Sequence, residues 1–103
     1  MVTDDLPDVD TVITQTLVPY GRMPSAVEVA LLTDHLLTYG QQAIARVQRL
    51  PEADQPPFAG SLRDWEYLVA TGPTDTAGVA NWTYARGLAR VVRNLSHGLR
   101  AAT

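Results

Sequence analysis

The strongest constraint on what this chain can fold into lies between Thr76 and Ala101, where Ala85, Leu88, Val92, Leu95 and Leu99 recur every three or four residues. That period belongs to an amphipathic α-helix, whose apolar stripe has to face a core. On roughly the opposite side stand Arg86, Arg90, Arg93, His97 and Arg100, spaced four, three, four and three, so half of the eight arginines fall into one row. Every other segment must supply surfaces for the apolar flank.

Three earlier segments carry helical signals. Asp8 can cap a short helix in which Val9, Val12, Ile13, Thr16 and Leu17 share a face, and Pro19 ends it. Ser25-Ala26-Val27-Glu28 has the form of a capping box. It predicts a helix to about Leu50, with Val29, Leu32, Leu36, Tyr39, Ala43, Val47 and Leu50 on its seam. Gly40 costs this helix about 1 kcal/mol relative to alanine, and is useful where another helix crosses closely. Val27 and Leu31 lie away from the seam and need a second partner, either the first helix or another copy of the chain. Residues 51 to 60, with Pro51, Pro56 and Pro57, read as a stiff connection. Ser61 and Asp64 then start a third helix with Leu62, Trp65, Leu68 and Val69 on one face, and Gly72-Pro73 stops it. Asp75 or Thr76 is the preferred cap of the last helix. No stretch alternates apolar and polar residues at period two, so no sheet is predicted.

The fold class that follows is all-α: a small helical bundle of two long antiparallel helices, about 25 residues and about 38 Å each, covered by two short ones. Residues 1 to 8 are expected to form a flexible arm and residues 9 to 103 a single domain. So thin a core leaves room for self-association through the uncovered side of the second helix, and a two-fold homodimer is the commonest form of it.

Composition narrows the chemistry. The absence of cysteine excludes disulfides, thiolate metal sites and cysteine nucleophiles. With 46% apolar and 18% charged residues the chain has material for a core, while its apolar runs are too short to span a bilayer. The net charge is −3, and with no lysine every permanent side-chain cation is an arginine. Asp4, Asp5, Asp8 and Asp10 make the start unlike a secretory or transit peptide, so a cytoplasmic location is expected.

The arginine row is the leading candidate site. Guanidinium forks suit carboxylates and phosphates, and Trp82, one turn before Arg86, could stack on a partner or a base. Trp82, Arg86, Arg90, Arg93, His97 and Arg100 are therefore the expected partner-binding residues, against the plainer reading of a solvated back of a helix. A second candidate is a ligand pocket at Trp65, Glu66 and Tyr67, although Trp65 fits the apolar face while its two neighbours fall off it. His35 and His97 sit on different helices with no metal-ligand spacing, so neither metal nor cofactor is expected. No phosphate loop or nucleophile elbow appears, and no catalytic residue is assigned.

The stretches Thr11–Leu17, Pro24–Leu32, Leu36-Leu37 and Tyr84–Leu95 resemble small actinobacterial helical proteins of the DUF6415 type, labelled natural product biosynthesis proteins. This chain departs from them in the insert from about Pro51 to Asp75. The resemblance implies association with secondary metabolism and no defined reaction. The function expected is that of a noncatalytic protein-interaction or regulatory subunit. A DNA- or RNA-binding regulator using the arginine row, and a small enzyme or ligand carrier with a pocket near Trp65, are the alternatives.

Overall fold

Ser25 Oγ accepts from the Glu28 amide at 3.2 Å, and Glu28 Oε1 accepts from the Ser25 amide at 3.1 Å. The reciprocal pair satisfies two orphan donors and starts the helix at the predicted place. In the computed structural model, which describes residues 7–75 and 78–102, every regular element is helical. The α-helices are α1 (Val9–Thr16), α2 (Ala26–Gln48), α3 (Ala59–Thr71) and α4 (Gly78–Ala102), joined in part by 3₁₀ turns at Tyr20–Arg22, Glu52–Asp54 and Pro56–Phe58. Asp8 caps α1 by accepting from the Asp10 and Thr11 amides. Of the caps proposed for α4, Thr76 lies outside the described residues, as does most of the expected N-terminal arm. Replacing Ser25 with alanine is expected to cost about 1 kcal/mol, read as a fall in Tm of about 4–8 °C.

Two boundaries moved. α2 ends at Gln48, where the Arg49 and Leu50 amides turn to carbonyls three residues back ahead of Pro51, and the Gln55 side chain folds back to donate to the Leu50 carbonyl at 2.9 Å and the Gln48 carbonyl at 3.4 Å. α3 begins at Ala59, before Ser61, and ends at Gly72, whose φ of 67° suits a residue without Cβ. Val69 is exposed, so the apolar face of α3 is narrower than predicted.

The long helices run parallel, which corrects the antiparallel pair expected from sequence. At the start of α1, Asp10 meets Arg100 near the end of α4; at the end of α1, Thr16 meets Trp82 near the beginning of α4. α1 is therefore antiparallel to α4. It is also antiparallel to α2, since Tyr39 Oη, in the middle of α2, donates to the Pro7 carbonyl, while Gln15 and Val18 lie beside Glu28, Leu31 and Leu32. On the other side, Phe58 abuts Gly98 and Leu68 abuts Gly87, so α3 is antiparallel to α4. The physical reason is the insert: residues 51–75 supply a whole returning helix, and α4 therefore starts at the same end as α2.

α4 is the central element. Trp82, Ala85, Arg86, Leu88, Ala89, Val91, Val92, Leu95 and Leu99 are buried on it, a broader arc than one stripe, because α1, α2 and α3 all pack against it. The core adds Val12 and Ile13 of α1, Val29, Leu32, Leu36, Ala43 and Val47 of α2, and Phe58 and Trp65. The indole of Trp65 sits on Gly40, where a Cβ would lie 2.0 Å from its Cη2. The glycine in α2 thus serves the close crossing that its position suggested.

Candidate functional site

Beyond the last turn of α1 the Thr16 and Val18 carbonyls have no helical partner. Arg86 reaches them from α4, its Nη1 donating to Val18 O at 2.6 Å and to Thr16 O at 3.4 Å. Trp82, one turn earlier, donates Nε1 to Thr16 O at 3.0 Å. Tyr20 closes the cluster, its ring 4.4 Å from the guanidinium carbon and edge-on to Trp82 at 5.2 Å between centroids. A fixed cation there also faces the negative end of the α1 dipole.

This geometry corrects the expected contact surface at two residues. Trp82 is 1% exposed and Arg86 8% exposed, so neither can meet a partner in the folded chain. They lie on the flank of α4 that faces α1, and the segment after α1 folds across them. Trp82 Nε1 and Arg86 Nη1 are spent on its carbonyls, while Arg86 Nε is buried without a hydrogen-bond partner.

The remainder of the row stays outside. Arg90, Arg93, His97 and Arg100 are exposed along ten residues of α4, about 15 Å. Arg93, His97 and Arg100 form one wall of a shallow groove of about 390 Å³, and Asp10, Ile13, Thr14 and Leu17 of α1 form the other. Asp10 pairs with Arg100 at 3.0 and 3.1 Å through its two carboxylate oxygens. Among the described residues that is the ion pair of the groove, and Arg93 has none. The groove therefore sets cationic donors opposite an α1 wall whose apolar part is the half-buried Leu17 and the edge of the core residue Ile13.

The pocket expected at Trp65, Glu66 and Tyr67 is not formed by these residues together. Trp65 fills the space over Gly40, while Glu66 and Tyr67 point to solvent, because three consecutive positions on a helix cannot share a face. A different groove, of about 290 Å³, lies between α2 and α4 with Val29, Thr33, Asp34, Asn81 and Tyr84 among its walls. Burial pushes the Tyr84 phenol above its usual pKa, so it stays a neutral donor. Nothing in the local sequence joins these positions, which come from helices nearly fifty residues apart.

Among the described residues no three His, Cys, Asp or Glu side chains gather as a metal site would require. His97 is exposed on α4, whereas His35 lies on α2 with its Nδ1 buried and without a hydrogen-bond partner. No described helix is long and apolar enough to cross a membrane. Of the two partners expected for Val27 and Leu31, α1 does not cover them, and they remain exposed with Met23 on the outer side of α2. No protein-family model, curated protein or solved structure matches the chain.

Proposed function

We propose that this protein is a noncatalytic interaction module, an accessory or regulatory subunit that docks an acidic segment of a partner protein along Arg90, Arg93, His97 and Arg100. The observation that carries this reading is the exposure of that row beside the α1 wall of the groove, where Leu17 is half-buried. Guanidinium forks take carboxylates bidentately, and Leu17 adds an apolar contact beside them for an amphipathic partner helix. Trp82 and Arg86 hold the wall of the groove in place and do not touch the partner. The resemblance seen in the sequence would set this work in actinobacterial secondary metabolism.

A photo-crosslinking residue at position 14, which is exposed on the α1 wall of the groove, tests the reading in cells that produce the protein. The expected result is an adduct with an acidic protein segment that disappears when Arg90 and Arg93 are both changed to glutamate. Adducts with nucleic acid, lost steeply as salt rises, would instead make the chain a DNA- or RNA-binding regulator. A protein adduct that survives the charge reversal would overturn the assignment.

A further inference from the structure

The outer side of α2 carries an apolar strip that no described element covers. Val27 is 79% exposed, Leu31 55% and Met23 37%, and the first two stand one turn apart on the same face of α2. Val18, Pro24 and Leu32 continue the strip as a groove toward α1. Scattered exposed aliphatics need no explanation, but neighbouring ones on one helix face form a surface that a partner would dry.

Charge placement says which partner. Arg22 stands at the N-terminal end of the strip and Asp34 at its C-terminal end, both exposed. Neither has an ion-pair partner among the described residues. Opposite charges at the two ends of one apolar strip make it complementary to its own copy under a two-fold axis that sets the helices antiparallel. Val27 then meets the second copy's Leu31, and each Arg22 comes within reach of the second copy's Asp34. A parallel pairing would bring Arg22 onto Arg22 and Asp34 onto Asp34, so the end charges select the antiparallel arrangement.

We infer that the Met23–Val27–Leu31 strip of α2 is the contact face of an antiparallel, two-fold homodimer, with Arg22 of each copy paired to Asp34 of the other. Two turns of helix are a small interface beside the roughly 800 Å² per partner of stable complexes, so the dimer is a weak one that forms at high protein concentration. This contact uses none of the α4 row, and its failure would leave the partner-binding proposal standing.

Sedimentation equilibrium of the full chain over a wide concentration range tests it. Val27→Asp buries a charge in the contact and is expected to weaken dimerisation at least about tenfold. Its circular dichroism and melting profile should stay unchanged, since the residue is exposed in the monomer. Arg22→Asp and Asp34→Arg each place like charges together and weaken the dimer. Combined in one chain they restore the pairing with the signs exchanged, and the dimer should return to within about threefold of the parent. A chain that stays monomeric at about 1 mM, a dimer indifferent to Val27→Asp, or a double variant no better than its single parents would each overturn the inference.

Discussion

Gly40→Ala is expected to lower the stability of this domain by about 2 kcal/mol, against the direction that helix propensity alone dictates. In an isolated helix the change would gain about 1 kcal/mol. Here the new Cβ would sit 2.0 Å from Trp65 Cη2 and within 2.5 Å of two further ring carbons, where carbon atoms rest comfortably only at about 3.5–4.0 Å. The obstacle is a rigid indole, 6% exposed, whose displacement either swings it out of the core or pushes α3 away from α2. Overpacking of this kind costs about 1–3 kcal/mol or more, which exceeds the propensity gain. Thermal unfolding would register it as a fall in Tm of about 8–16 °C. Trp65→Leu in the same chain makes room for the methyl group, so the double variant should be more stable than the sum of the single effects implies. Strict additivity would mean that the two residues are not in contact.

Arg86→Ala is the second large effect, expected at about 2–3 kcal/mol. It removes charge-assisted hydrogen bonds worth about 1.5–3 kcal/mol and the cation that rests against two aromatic rings. Arg86→Met keeps the aliphatic stem and removes the unpaired Nε with the rest of the guanidinium, so it should lose less. The readout specific to this role is local: amide hydrogen exchange from Thr16 to Arg22 should accelerate, because Arg86 holds the end of α1. Trp82 emission should shift red as water reaches the indole. Arg90→Ala and Arg93→Ala, on exposed side chains of the same row, should stay within about 0.5 kcal/mol of the parent. Equal losses at all three arginines would mean that the burial of Arg86 is not what sets it apart.

The split within the arginine row lets one surface serve as scaffold and, on the proposed reading, as contact. Arg86 and Trp82 are committed to the chain's own carbonyls, and that commitment fixes α1 against α4. With α1 fixed, Ile13, Thr14 and Leu17 face Arg93, His97 and Arg100 across the groove. Loosening the lock should therefore weaken the proposed partner binding indirectly, without any change to the exposed arginines.

What the linear chain determined by itself is local and depends on short-range physics. The capping box at Ser25 and Glu28, the cap at Asp8, the stop at Gly72 and the helical period of Leu88, Val92, Leu95 and Leu99 rest on hydrogen bonds and backbone preferences within a few residues, and all are present. The use of Gly40 as a crossing point was legible for the same reason, since a glycine in a long helix is costly unless something needs the space. The direction of the long helices was not, because it depends on which way the predicted third helix returns against them. Only packing of Phe58 on Gly98 and Trp65 on Gly40 decides that. Nor could spacing tell Arg86 from Arg90: both lie on the same row, and the difference is that a segment some seventy residues away brings unsatisfied carbonyls to one and leaves the other in water. Helix periodicity sorts residues by angle around an axis, while burial depends on what arrives at that angle from elsewhere in the chain.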